Sequence, residues 1–155
     1  MGLIDICRLL NKYNVDYLII GGDAVAFYGV DRVSLDTDIW IKEDINNYKN
    51  IVKVLYEAGY ISDNNKILDN NKLVERWYLL KKHQLNRFTK NGDKPVDILS
   101  HNIKYKKFES CFIRKNIIEI DGVRINFISL KDLIKLKKQA GRNKDLDDLE
   151  KLKNL

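Results

Sequence analysis

The chain has 155 residues, of which 45% are hydrophobic and 10% aromatic, enough apolar surface to form a core and to exclude global disorder. The net charge of +6 is divided unevenly, because residues 1–75 carry 8 basic and 12 acidic side chains and residues 76–155 carry 20 and 10. A basic half suits nucleic-acid binding, and an acidic half joined to a basic half also suits an enzyme that handles phosphates with metal ions.

Composition also excludes several classes of protein. The sequence contains no run of about 18 apolar residues that would span a membrane. Residues 1–5 lack the cationic start and apolar stretch of a secretory signal. The two cysteines, Cys7 and Cys111, form no CxxC motif, which argues against a disulfide framework and a zinc ribbon. We therefore expect a soluble, cytoplasmic globular protein.

The first half of the chain predicts two strands, each followed by a helix. Residues 16–22 form a short apolar run that ends in two glycines, as is typical of a buried strand. A short helix is predicted at 23–28 and a second strand at 36–41. Residues 43–58 have helical apolar spacing, and Gly59 ends that helix.

The second half predicts strands followed by two helices. Turn-forming residues at 62–71 indicate an exposed loop, and strands are expected at 77–80, 84–89, 96–99, 117–120 and 124–128. Asp121-Gly122 between the last two strands is a strong hairpin signal. Helices are predicted at 130–140 and 143–152. The fold class is therefore α+β, a mixed sheet with flanking helices, in one domain whose core spans 1–128 and whose C-terminal helical part spans 129–155.

Three aspartates interrupt apolar strands. Asp36 and Asp38 are one residue apart, so both side chains leave the same face of the sheet. Because neighbouring carboxylates repel each other, a positive charge is expected between them, and hard oxygen ligands indicate Mg²⁺ or Mn²⁺. Asp97 repeats the pattern and would complete a two-metal site for phosphoryl or nucleotidyl transfer. The structural alternative is that these aspartates end their strands and face solvent.

Gly21 and Gly22 end the first strand and open a helix. Glycines let a backbone approach a phosphate, and a helix N-terminus offers unpaired N–H groups to it. An ordinary tight turn has the same sequence pattern. Asp23 would cap the helix, and its charge counts against a phosphate site.

Lys137 falls within the apolar arc of the first C-terminal helix, which Ser129 is placed to cap. A lysine there must extend to solvent, pair with a carboxylate or reach a ligand. One alternative is an ion pair of Asp145 with Lys137 or Arg142. The other is that Lys137 contacts a triphosphate while Asp145 orients it.

Three motifs in order carry a family resemblance. They are Ile20-Gly21-Gly22, then Asp36-Thr37-Asp38-Ile39 after thirteen residues, and later Val96-Asp97-Ile98. Together they resemble the DNA polymerase β-like nucleotidyltransferase superfamily. The Gly-Gly-Asp-Ala segment, Gly29, residues 32–38 and the tail from 129 are similar to small bacterial nucleotidyltransferases related to the AbiEii toxins.

The resemblance implies transfer of an NMP from an NTP to an acceptor hydroxyl, with release of pyrophosphate. ATP is the expected NTP, and Mg²⁺ or Mn²⁺ the expected cofactor. It implies that Asp36 and Asp38 bind the metals and that Asp97 holds the second metal and helps to deprotonate the acceptor. The nucleotide would be bound by the amides of Gly21 and Gly22, supported by Arg32, Ser34 and Lys137.

The acceptor stays open on the sequence. The resemblance offers tRNA, a partner protein or an antibiotic-like small molecule, with a role in a toxin–antitoxin pair or in resistance. A homodimer or an antitoxin is a candidate partner. The rival hypothesis is a non-catalytic nucleotide- or RNA-binding module of the same fold, for which the basic cluster at residues 104–107 is a candidate RNA contact.

Overall fold

A mixed β-sheet organises the chain. The computed structural model describes residues 1–62, 80, 85–103 and 107–154. Within these ranges the elements, in chain order, are α1 (Leu3–Lys12), β1 (Tyr17–Ile19), α2 (Gly21–Phe27), β2 (Thr37–Ile41), α3 (Ile45–Ala58), β3 (Ile61–Ser62), β4 (Leu85–Thr89), β5 (Val96–Leu99), α4 (Phe108–Ile113), β6 (Asn116–Ile120), β7 (Val123–Phe127), α5 (Leu130–Ala140) and α6 (Asn143–Lys153).

The strands in the described part of the chain lie in the order β3-β4-β5-β2-β1-β7-β6. β2 pairs with β5, and β1 with β7, in parallel, whereas the other neighbouring pairs are antiparallel. Every residue of β1 is buried, which requires cover on both faces of the sheet. The predicted α+β class with a mixed sheet and two C-terminal helices is confirmed.

Local signals in the sequence set several element boundaries. The Asp44 side chain accepts hydrogen bonds from the first turn of α3, and Gly59 ends that helix at a left-handed φ of 75°. The Ser129 hydroxyl accepts from the amide of Asp132 and caps α5 as predicted. At the β6–β7 turn, Asp121 and Gly122 both have positive φ, 51° and 72°, as a two-residue hairpin turn requires.

Two helices were not predicted, and one prediction falls largely outside the described residues. The chain opens on α1, which buries Ile6, Cys7 and Leu10, and not on β1; α4 is the other addition. Of the strand predicted at 77–80 the structure describes only Leu80, which is helical. Of the loop predicted at 62–71 it describes only the first residue, at the end of β3. The basic cluster at 104–107 also lies outside the described residues, apart from its last lysine.

Charged side chains are rare in the core and are grouped. The buried core is apolar along β1 and β2, where Trp40 donates from Nε1 to the carbonyl of His101 at 2.9 Å. Of the five buried charged residues in the described ranges, Asp97, Lys137, Asp145 and Asp148 lie where β5 meets the C-terminal helices, and Asp132 at the start of α5 pairs with Arg114 at 2.9 Å. None of the described helices is both long enough and apolar enough to cross a membrane.

Candidate active site

A pocket of about 370 Å³ opens at the end of the sheet where β1 finishes and β2 and β5 begin, with α5 and α6 on its far side. Its lining includes all but one of the side chains and glycines predicted as site residues: Gly21, Gly22, Arg32, Asp36, Asp38, Asp97 and Lys137. Ser34 is the exception; its hydroxyl donates to the carbonyl of Asp36 at 2.7 Å. Ser34 therefore holds the backbone that carries the first aspartate.

Strand register brings the three aspartates together. β2 and β5 are parallel, and their pairing sets Asp38 directly beside Asp97. Directly paired residues share a face of the sheet. Asp36 lies just before β2, not within it as predicted, and it lines the same pocket as the other two. The predicted convergence of these three carboxylates on one side of the sheet is therefore what the structure has. Asp97 is buried, with 5% of its side chain exposed, and Asp36 is 30% exposed.

Arg87 on β4 binds two of the three aspartates. Its Nε and Nη2 donate to the two carboxylate oxygens of Asp97, each at 2.7 Å, and Nη2 also donates to Oδ2 of Asp36 at 2.7 Å. The hydrogen bonds to Asp97 raise the pKa of Arg87 further above its ordinary value. The sequence alone does not place Arg87 between two of the aspartates, because the β4–β5 register depends on residues far apart in the chain.

Asp38 is the carboxylate that Arg87 does not reach. Its side chain has no hydrogen-bond or ion-pair partner within the described ranges, whereas its main-chain carbonyl accepts from the amide of Ile20 at 3.0 Å. Burial raises its pKa from the ordinary 3.8 to about 6, with the charges of Asp36 and Asp97 adding to that effect and Lys137 opposing it. Ionisation of Asp38 is therefore disfavoured in this pocket, and an additional positive charge beside it would favour the ionised form.

The two glycines are required by close packing against the site. A Cβ at Gly21, whose φ is +63°, would lie 1.8 Å from Oδ2 of Asp38. A Cβ at Gly22 would lie 2.5 Å from Oγ of Ser34. Both glycines thus let the start of α2 approach Asp38 on β2 and Ser34 in the segment before it. The helix is capped by Ile20 without a side-chain bond, so Asp23 does not cap it; Asp23 accepts instead from Lys94 at 2.7 Å.

A buried ion-pair network ties the C-terminal helices to the pocket. Lys137 on α5 donates to Asp145 at 3.0 Å and to Asp148 at 2.6 Å, both on α6. Arg32, from the segment before β2, also pairs with Asp148, and Arg142 pairs with Asp145 at 2.6 Å. Burial opposes ionisation of Asp145, but the hydrogen bonds from Arg142 and Lys137 outweigh it and lower its pKa to about 2.

Both ion pairs that the sequence offered for Asp145 are therefore present. The sequence did not identify Asp148, the residue that joins Lys137 to Arg32. Its only signal was position, since Asp148 follows Asp145 by three residues and so shares a helix face with it.

The donor set fits a hard divalent cation, although the side chains do not stand as a ready-made metal centre. Among the described residues, no three acidic, histidine or cysteine side chains are arranged to hold a metal. The reason is visible in the geometry, because Arg87 stands among the carboxylates. Its single Nη2 lies 2.7 Å from an oxygen of Asp36 and from one of Asp97, so one positive centre reaches both. Carboxylate oxygens of this kind are the ligands that Mg²⁺ and Mn²⁺ prefer.

The remaining wall of the pocket is apolar. It is formed by side chains from the ends of β4 and β5, the segment after β5, and one face of α5: Leu85, Leu99, Ile103, Leu133, Leu136 and Ala140. Carboxylates and basic groups on one side and an apolar wall on the other suit a ligand that is charged at one end and flat and apolar at the other.

The chain is similar to known proteins both in fold and in sequence. The fold is similar to that of a candidate nucleotidyltransferase from Thermotoga maritima, with a TM-score of 0.60 and 16% identity over 96% of this chain and 88% of that one. It is also similar to an antigenic nucleotidyltransferase-like protein from Paracoccidioides brasiliensis, with a TM-score of 0.56 and 16% identity over 97% and 73% of the two chains. No curated protein matches the sequence. The model of the aminoglycoside-2''-adenylyltransferase family matches residues 2–154, and the chain belongs to that family of nucleotidyltransferases.

Proposed function

We propose that the protein is a metal-dependent nucleotidyltransferase that moves an NMP from an NTP to an acceptor hydroxyl and releases pyrophosphate. One observation carries the proposal: Asp36, Asp38 and Asp97 converge on a single pocket, with Asp38 and Asp97 paired across parallel strands. Clustered carboxylates on a rigid sheet suit phosphoryl-type transfer, in which positioning and charge stabilisation supply most of the catalysis.

The three aspartates have distinct proposed roles. Asp36 and Asp38 would hold Mg²⁺ or Mn²⁺, and Asp97 would hold a second ion. When bound, such ions supply neutralisation of the phosphate charge and activation of the attacking oxygen. Asp97 is the residue we propose to accept the proton of the acceptor hydroxyl, because it is buried at the centre of the group and fixed by its strand.

Binding of the nucleotide is proposed to use both walls of the pocket. The amides of Gly21 and Gly22 and the basic groups of Arg32 and Lys137 line its polar side and would contact the phosphates. Lys137 is 5% exposed and already bonded to two aspartates, so its charge would act from a fixed position. The apolar wall on α5 would take the base. Ser34 would act indirectly, through the carbonyl of Asp36.

ATP is the first nucleotide to test, since the family is described by adenylyl transfer to an aminoglycoside. An aminoglycoside is accordingly the first acceptor. The acceptors that the AbiEii-like resemblance implies, tRNA and a partner protein, are proposed as the next ones, together with a toxin–antitoxin role.

The test is a transfer assay with α-labelled ATP and Mg²⁺, in which an aminoglycoside, bulk tRNA and the protein alone are compared as acceptors. Asp36→Asn with Asp38→Asn should reduce transfer at least ~1,000-fold, as expected when several kcal/mol of charge stabilisation are lost. Asp147→Asn, which removes an exposed carboxylate from α6 outside the pocket lining, is the matched control. Equal transfer by the double variant and the wild type would contradict the proposal. Nucleotide binding without transfer to any acceptor would favour the non-catalytic binding module.

A further inference from the structure

Arg87 is built into the carboxylate group by strand pairing. In the antiparallel pair of β4 and β5, Arg87 lies directly opposite Asp97, and in the parallel pair of β5 and β2, Asp97 lies directly beside Asp38. The three side chains therefore form one row across three strands on one face of the sheet. The pairing of β4 with β5 therefore determines the position of the Arg87 side chain relative to Asp97.

The contacts of Arg87 are those of a strong ion pair that is open to solvent on one side. It binds Asp97 through two parallel hydrogen bonds and Asp36 through a third, all at 2.7 Å. Bidentate arginine–carboxylate pairs are among the strongest in proteins. Asp97 is 5% exposed, whereas the side chain of Arg87 is 42% exposed, so the guanidinium can leave toward the pocket without crossing the core.

These oxygens are also the ones that the proposed metal site needs. A divalent cation held by Asp36 or Asp97 would repel the guanidinium that binds the same carboxylate, because both carry positive charge. Both oxygens of Asp97 and one of Asp36 already accept hydrogen bonds from Arg87, so a cation that uses these oxygens must compete with the guanidinium. Metal binding and the Arg87 pair therefore oppose each other.

We propose that Arg87 is a displaceable counter-ion, which pairs with Asp36 and Asp97 in the metal-free protein and yields them to a divalent cation. Once released, its guanidinium stays at the pocket and is available to the phosphates of the nucleotide. A cation alone must compete with Arg87, whereas a cation that arrives with a polyphosphate gives the released arginine a new anionic partner. The site would then favour metal and nucleotide together over metal alone. This inference rests on the proposed function, because it uses the same carboxylates as metal ligands.

The first experiment measures binding of Mn²⁺ alone, without nucleotide, to EDTA-treated protein by calorimetry or electron paramagnetic resonance. Arg87→Met removes the charge and the donors while keeping a long side chain. We expect it to bind Mn²⁺ about tenfold or more tightly than the wild type, because the competing charged hydrogen bonds are gone. Lys144→Met is the matched control, since Lys144 lines the same pocket and loses the same charge but bonds neither Asp36 nor Asp97. Equal gains in the two variants, or weaker binding by Arg87→Met, would overturn the proposal.

A second readout follows the folded protein itself. Without metal, Arg87→Met leaves the buried Asp97 unpaired, so its Tm should fall below that of the wild type, and Mn²⁺ should raise it by more than it raises the wild-type Tm. Arg87→Lys keeps one charge but loses the bidentate geometry, and it should bind Mn²⁺ with intermediate affinity. This variant tests the proposal even if Arg87→Met does not fold in EDTA. A Mn²⁺ shift in Arg87→Lys no larger than that of the wild type would contradict displacement.

The outcome also separates this inference from the proposed function. Asp36→Asn should abolish the Mn²⁺ site in both the wild-type and the Arg87→Met backgrounds. If Mn²⁺ binds both backgrounds equally through Asp36, the metal site stands and the displacement by Arg87 is wrong. If neither background binds Mn²⁺, the metal site fails and this inference fails with it.

Discussion

Gly21 and Asp38 are so close that no side chain fits between them: a Cβ on Gly21 would lie 1.8 Å from Oδ2 of the aspartate. The backbone of Gly21 also has a φ of +63°, which favours glycine. The start of α2 therefore packs directly against the carboxylate of Asp38. Replacement of the glycine must move one of them.

Gly21→Ala should destabilise the protein and disturb the site together. The left-handed backbone costs about 1–2 kcal/mol for a residue with a Cβ, and forced overpacking adds about 1–3 kcal/mol. Gly92→Ala is the matched control, because Gly92 has a φ of +78° but open space around its Cβ. Urea denaturation should show a larger loss for Gly21→Ala than for Gly92→Ala, together with weaker Mn²⁺ binding. Equal losses in the two variants would mean that Asp38 moves aside freely.

Ionisation of Asp38 should destabilise the metal-free protein as the pH rises. Its pKa is about 6 in the folded protein and ordinarily 3.8, so between these values the folded state binds the proton more tightly than the unfolded state does. The free energy of unfolding contributed by this group is therefore full below about pH 4 and is lost as the pH rises through 6.

Asp38→Asn removes that dependence. In EDTA at pH 7 the variant should be more stable than the wild type, on the order of 2 kcal/mol, and the difference should shrink toward pH 4. Urea denaturation across this range measures it, with Asp147→Asn as the control. If the variant is no more stable than the wild type at pH 7, then burial and the neighbouring carboxylates do not disfavour the ionised form of Asp38.

Lys137 should be a structural residue whatever its contact with nucleotide. Its removal leaves Asp145 and Asp148 buried with less compensation, and breaking a buried ion pair costs roughly 3 kcal/mol or more. Lys137→Met should therefore lower the free energy of unfolding by about that amount, whereas Lys138→Met, on the exposed face of the same helix, should change it little. If Lys137→Met is as stable as Lys138→Met and loses only ATP affinity, the phosphate role is its main one.

The sequence was most informative where a local pattern determines a local structure. Short apolar runs interrupted by aspartates predicted β2 and β5, the common face of Asp36 and Asp38, and the approach of Asp97 from a neighbouring strand. Asp121-Gly122 predicted the hairpin because both residues accept positive φ. The helix α1 was not predicted, although it buries Ile6 and Leu10 at helical spacing.

The missing parts of the site are those that depend on contacts far apart in the chain. Nothing local indicates that Arg87 stands opposite Asp97, because the β4–β5 register depends on the whole sheet. Likewise, the Arg32–Asp148 pair joins residues that are 116 positions apart in the chain. The glycine motif suggested phosphate contact, whereas its visible requirement is space for Asp38 and Ser34. Phosphate contact and close packing both require glycine at these two positions, so the sequence alone does not distinguish them.

The pairing of β2 with β5 also determines which changes of chain length the site tolerates. The amide of Thr37 donates to the carbonyl of Pro95 at 2.8 Å, and the two strands run in register from there. A single residue inserted between Pro95 and Asp97 would turn the Asp97 carboxylate to the opposite face of the sheet. Insertions and deletions at this point are therefore more damaging than most substitutions, because they change the direction of a catalytic candidate without changing its identity.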